Sequence, residues 1–173
     1  NDYPHYTNVQ MPFDFLPPNV PEKNPTGLYR RTVQIPGEWK GRRIVLHIGS
    51  AESCMIAFVN GNEIGISKDT RLPAEFDISP YLEWNEKTCT ATIALEVIRY
   101  SDASFVEDQD QWWFGGIHRS VYLYSTESTF IQDVEALTFL DIKKSDISGI
   151  IPLVVTLGYA DPKRNTTRCT NDR

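Results

Sequence analysis

Apolar and polar residues alternate along most of this chain with a period of two. Gly27 to Ile35 puts Tyr29, Val33 and Ile35 on one face, and Arg43 to Ile48 does the same with Ile44, Leu46 and Ile48. Thr88 to Tyr100 sustains the pattern longest, with Ala91, Ile93, Leu95 and Val97 on one side and threonines on the other. Such alternation marks a strand with one buried face. Met55 to Ser67 reads as a hairpin. Phe58-Val59 enters Asn60-Gly61, a dipeptide that tolerates positive φ in a tight primed turn, and Ile64-Gly65-Ile66 returns. Ser120 to Tyr124 is a further strand. Phe76 to Leu82 predicts one helical turn, with Ser79 as N-cap and Pro80 in first position. No segment keeps a period near 3.6 and no internal repeat is visible, so the pattern predicts an antiparallel β-sandwich or barrel.

Both ends depart from this pattern. The first 27 residues carry Pro4, Pro12, Pro17, Pro18, Pro21 and Pro25, interleaved with Tyr3, Tyr6, Phe13 and Phe15. Proline fixes φ and removes a donor, so this predicts an extended arm held on a surface by its side chains. After Thr126 the register restarts. Val134 to Leu140 and Ile150 to Tyr159 read as two more strands, the second with Leu153, Val155, Leu157 and Tyr159 on one face. Two or three strands cannot close a sandwich. Residues 1–126 are therefore expected to form one domain and 127–173 to begin a second β domain. Asp161 to Arg173 is polar and predicts a loose end.

Composition narrows the function. The net charge is −6, from 17 basic and 23 acidic residues, which argues against nucleic acid as a partner, because phosphate binding needs a basic face. No apolar run approaches the roughly 20 residues that span a bilayer, so no membrane partner is expected. The opening NDYPHYTNV has neither the basic start nor the apolar stretch of a secretory signal; cytoplasm and periplasm both remain open. Cys54, Cys89 and Cys169 are too few and too far apart for a disulfide framework or a zinc site. Cys54 and Cys89 read as small buried hydrophobes. Asn165-Thr166-Thr167 is a glycosylation sequon with meaning only on a eukaryotic secretory route.

The chemistry concentrates between Leu95 and Thr126. Two alternating runs are joined there by a long loop bearing Glu107, Asp108, Asp110, Trp112, Trp113 and Phe114, closed by Gly115-Gly116. Long loops rich in acids and aromatics are more often functional than structural. A flat ring beside a carboxylate suits a sugar: the ring meets the C–H face and the carboxylate accepts from hydroxyls. The alternative is that the tryptophans are core and the acids a solvated tip. Calcium in an EF-hand geometry is excluded, since the fifth and sixth loop positions counted from Asp108 are Trp112 and Trp113. Glycosidase carboxylates stand on opposed rigid elements, which three acids on one loop do not satisfy. His5, His47 and His118 sit in unrelated contexts with no Gly-x-Ser-x-Gly elbow, and a lone strand histidine such as His47 reads as structural.

Several pieces occur together in a fixed order. They are Tyr6-Thr7-Asn8-Val9, Asn24-Pro25-Thr26-Gly27-Leu28-Tyr29, Val59-Asn60-Gly61, Arg71-Leu72-Pro73-Ala74-Glu75-Phe76-Asp77 and Tyr100-Ser101-Asp102-Ala103-Ser104. Glu107-Asp108-Gln109-Asp110-Gln111-Trp112 and Gly116-Ile117-His118-Arg119 follow. From residue 3 to about 126 the chain closely resembles the N-terminal sugar-binding domain of bacterial β-galactosidases of glycoside hydrolase family 2. The resemblance implies a galactose-binding-domain-like jelly-roll β-sandwich followed by the truncated start of an immunoglobulin-like domain. By the same resemblance, the sandwich is expected to lack the strands that usually precede the arm.

The resemblance also implies a function. In such enzymes a TIM barrel beyond these domains carries both catalytic glutamates, so no catalytic residue is expected in this chain. Asn8 and Asp110 would contact the galactosyl group at the barrel's mouth. Asp110 would also be a sodium ligand, with the other ligands on the barrel, and magnesium would bind elsewhere in the whole enzyme. Trp113 stands where the well-known members carry a basic residue, so loop details are expected to differ. The implied partners are a β-galactoside, the catalytic barrel of the same chain and further copies in a homo-oligomer. The implied reaction is hydrolysis of terminal non-reducing β-D-galactose through a galactosyl-enzyme intermediate. A β-glucuronidase, a β-mannosidase and a free-standing carbohydrate-binding module are the alternatives.

Overall fold

The computed structural model of the chain describes residues 3–7, 11–143 and 146–160. Asn8, Cys169 and the Asn165 sequon lie outside them. In chain order the strands are β1 (His5–Tyr6), β2 (Thr26–Ile35), β3 (Arg43–Ile48), β4 (Ala51–Glu52), β5 (Cys54–Val59) and β6 (Asn62–Ser67). There follow β7 (Ala74–Asp77), β8 (Trp84–Asn85), β9 (Thr88–Ile98), β10 (Trp112–Trp113), β11 (Gly116–Ile117) and β12 (Val121–Thr126). The last four are β13 (Thr129–Ala136), β14 (Phe139–Lys143), β15 (Asp146–Ile150) and β16 (Leu153–Tyr159). One short helix, α1, covers Ala103–Val106.

The longest alternating stretch becomes the central strand. β9 pairs antiparallel with β2 on one side and β5 on the other, β6 lies beyond β5, and the short β8 pairs with the start of β9. Its residues Cys89, Ala91, Ile93, Leu95 and Val97 are buried. A second antiparallel sheet runs β12-β3-β7. The core lies between the two sheets and draws Met55, Ala57 and Val59 from one, Ile44, Leu46 and Ile48 from the other. Cys54 and Cys89 are buried free thiols, and burial pushes both upward in pKa.

The β5–β6 turn has the backbone that its sequence predicts, with Asn60 at φ 49° and Gly61 at φ 81°. Asn60 also ties the turn down. Its amide accepts from Thr92 N (2.9 Å) and donates to Tyr81 O (2.9 Å).

Three local expectations are corrected. Ala74–Asp77 is strand, and only Ser79–Tyr81 forms a helical turn, of 3-10 type. Ser79 does not cap it; its hydroxyl accepts from Ile44 N (2.7 Å), the amide that β3 presents to it. The stretch after Thr126 forms four strands rather than two or three. They make a β13–β16 pair and a β14–β15 hairpin, neither of which joins the two large sheets. Leu153, Leu157 and Tyr159 are more than half exposed there.

The sandwich is open along one side. β2 and β12 are each the outermost strand of their sheet among the described residues. Between them lies a cleft of about 540 Å³, lined by Tyr29, Arg31, Val33, Leu46, Ile93 and Leu123 among others.

Candidate functional site

The acidic loop rests on a layer of buried polar side chains. Where β9 ends, Asn24 clamps the chain: its amide donates to Tyr100 O (2.7 Å) and accepts from Tyr100 N (2.9 Å). Ser53 donates to Ser101 Oγ (3.0 Å), and Ser101 N donates to Ser104 Oγ (3.1 Å). All three serines are buried. Asp102 caps α1 through Ala103 N (3.1 Å). Lys68 (2.7 Å away) holds the Asp102 carboxyl below the usual range. Buried polar groups need such partners, so these motif residues are scaffold.

Two carboxylates pin the loop at its ends. Glu107 Oε1 accepts from Thr70 N (2.8 Å). Glu52, only 5% exposed, accepts from Phe114 N (2.8 Å) and Gly115 N (3.2 Å) through one oxygen. Gly116, at φ 72°, passes so close to Tyr29 that a β-carbon would sit 2.7 Å from its hydroxyl. Arg119 Nη1 donates to Arg71 O (2.7 Å). The Ser50 hydroxyl donates to Thr70 O, so it accepts from Nε2–H of His118 (2.7 Å). Burial lowers the pKa of His118, against the opposing pull of Glu52.

The tip of the loop faces solvent. Asp108, Gln109 and Asp110 are exposed. The arm reaches the loop here: β1 pairs with β10, setting His5 opposite Trp113 and Tyr6 opposite Trp112. Arg99 anchors the arm, donating from Nη2 to Tyr3 O (3.1 Å) and His5 Nδ1 (3.1 Å). Tyr6 Oη donates to Asp110 Oδ1. Trp113 is 5% exposed and serves as core, while Trp112 is 52% exposed, its ring 5.4 Å from that of Tyr6. The two readings of the tryptophans thus divide between them: one is core, one is surface.

Of the other candidates, Glu107 is taken up by the scaffold and Asn8 lies outside the described residues. His47 sits on the outer face of its sheet, 2.8 Å from Glu75 and stacked on Tyr122 at 4.3 Å. Among the described residues no three His, Cys, Asp or Glu side chains gather as a metal-binding group. Sequence reasoning missed Glu52, Arg99 and the bond from Tyr6. Glu52 left one signal, a lone acid in the otherwise small and apolar run from Ile48 to Val59.

The family model described as "Glycosyl hydrolases family 2, sugar binding domain" matches residues 1–127. The chain belongs to glycosyl hydrolase family 2. Its antiparallel sheets are those of the family's sugar-binding domain, of jelly-roll type. A beta-galactosidase of Priestia megaterium is 44% identical over 84% of this chain, which spans only 14% of that relative. Two solved structures share the fold. A beta-glycosidase from Bacteroides vulgatus superposes with a TM-score of 0.62 at 20% identity, over 90% of this chain and 19% of its own. A β-D-glucuronidase from Dictyoglomus thermophilum gives 0.61 at 23% identity, over 76% of this chain and 25% of its own. Since a glucuronidase shares the fold, the fold does not choose the sugar.

Proposed function

We propose that this chain is the N-terminal part of a retaining β-galactosidase, which hydrolyses terminal non-reducing β-D-galactose residues. In this reading residues 1–126 are the jelly-roll domain and 127–173 begin an immunoglobulin-like domain. The catalytic acid and nucleophile stand on a barrel further along the same polypeptide. The chain's own part is to position the sugar. Asp110 carries the reading: it is a carboxylate on an exposed tip, beside the half-exposed Trp112, and the arm docks against it. Its carboxylate accepts from galactosyl hydroxyls, and Asn8, an amide able to donate and accept, is the second group assigned to the sugar. A sodium ion at Asp110 would draw its remaining ligands from outside this chain and would supply a fixed positive charge for sugar hydroxyls. Magnesium sites and contacts between subunits belong to other parts of the whole enzyme.

The main rival is a β-glucuronidase, whose substrate carries a carboxylate. An acidic tip bearing Asp108 and Asp110, on a chain of net charge −6, repels a uronate and suits a neutral sugar. The test is Asp110→Asn in the full-length enzyme. Its kcat/KM for an aryl β-galactoside should fall roughly 10- to 100-fold, the worth of a hydrogen bond to a charged group. The melting temperature should stay within a few degrees, because the residue is exposed. Unchanged kinetics, or preference for a β-glucuronide over the β-galactoside, would overturn the reading.

A further inference from the structure

We infer that Tyr6 is a positioning residue for Asp110, acting on the sugar through that carboxylate; the inference rests on the site proposed above. An aspartate at an exposed loop tip samples several rotamers, and each must be given up when a ligand binds. Here the arm limits that freedom. The β1–β10 register fixes Tyr6 directly across from Trp112, two residues beyond Asp110. The phenol is long and rigid enough to reach back to Asp110 Oδ1. Its ring is held beside that of Trp112, 5.4 Å away. Behind it, Arg99 is 7% exposed and ties the arm at Tyr3 O and His5 Nδ1. The strand pairing and the Arg99 contacts therefore fix the donor before it meets the carboxylate.

The chemistry of the donor matters as much as its place. A lysine or arginine at this position would neutralise Asp110 and weaken it as an acceptor. A neutral phenol orients the carboxylate and leaves its charge for the ligand. The bond occupies Oδ1, and Oδ2 has no hydrogen-bond partner among the described residues. That leaves one oxygen fully available, aimed by the other.

A double-mutant cycle in the full-length enzyme separates this role from simple packing. Tyr6→Phe keeps the ring against Trp112 and removes only the hydroxyl, so its melting curve should match that of the parent. It should lower kcat/KM for an aryl β-galactoside roughly 5- to 20-fold. The inhibition constant of a non-hydrolysed thiogalactoside should rise by a similar factor, since ordering of Asp110 is lost already in the ground state. In an Asp110→Ala background, which removes the acceptor altogether, the same Tyr6→Phe change should alter kcat/KM less than twofold. A silent Tyr6→Phe beside a damaging Asp110→Asn would overturn the inference and leave the proposed site standing. Equal losses in both backgrounds would overturn it too, because Tyr6 would then act independently of Asp110. A silent Asp110→Asn would instead remove the site itself, and the inference with it.

Discussion

At the scale of single residues, His118 shows how a family motif can be structural. It donates from Nε2 to Ser50, which in turn holds the backbone at Thr70, and burial keeps its pKa below the ordinary 6.5. The fold therefore prefers the neutral ring. Protonation is resisted in the native state but not in the unfolded chain, so the unfolded chain binds more protons below about pH 6.5. Stability is full above that value and is lost as pH falls from it through the depressed native pKa. The charged groups around the ring oppose one another, Glu52 favouring the proton and Arg71 and Arg119 disfavouring it. The prediction is a drop in melting temperature between pH 7.5 and 5.5 that is smaller in His118→Gln, whose amide keeps a donor toward Ser50 but cannot titrate. An identical drop in both proteins would exclude His118 as the titrating group. The pattern of rings and acids did not separate Asp110 from Glu107 and Asp108, and only the family resemblance names it; Tyr6 left no local signal, and Glu52 none beyond its isolation among small and apolar neighbours. Their roles come from partners 62 and 104 positions away, and no local pattern encodes such a meeting.

At the scale of elements, strands were the most legible feature and loops the least. Cys89 to Val97 alternates cleanly because one face meets the core, and Asn60-Gly61 announces its own turn geometry. Trp112 and Trp113 are too few to show a periodicity in the sequence; they become a strand only by pairing with β1. Ser79 failed as a cap because Ile44, thirty-five positions earlier, claims its hydroxyl. Residues 127–160 were harder to parse, since their apolar residues are mostly exposed and mark no single buried face. The acidic loop is shaped by Glu52 in the same long-range fashion. Glu52→Ala would leave Phe114 N and Gly115 N without their acceptor, at a cost of about 1–3 kcal/mol. That corresponds to a fall of roughly 2–12 °C in melting temperature for a chain of this size. Amide exchange at Phe114 and Gly115 should quicken together, and Glu52→Gln, which keeps one acceptor oxygen, should recover part of both effects. Unaltered exchange at these two amides would show that the loop is held by other means.

At the scale of the whole molecule, the cleft between β2 and β12 and the strands β13 to β16 expose many large apolar side chains, and clustered apolar surface favours association. The chain by itself should therefore bind a hydrophobic dye and self-associate in sedimentation experiments. Val121→Lys and Leu157→Lys place charges at exposed positions of the two regions, so each should reduce both signals without unfolding the protein. Dye binding unaffected by either change would locate the sticky surface elsewhere. The pairing of arm and loop has a further consequence for biosynthesis. Tyr6 leaves the ribosome long before its partner, since 104 positions separate it from Asp110. At about 5–20 residues per second, the arm waits roughly 5 to 20 s for the loop to be made. Throughout that interval it has no strand to pair with and only its prolines to keep it extended. The rim where arm meets loop is thus among the last parts of this domain that a growing chain can assemble.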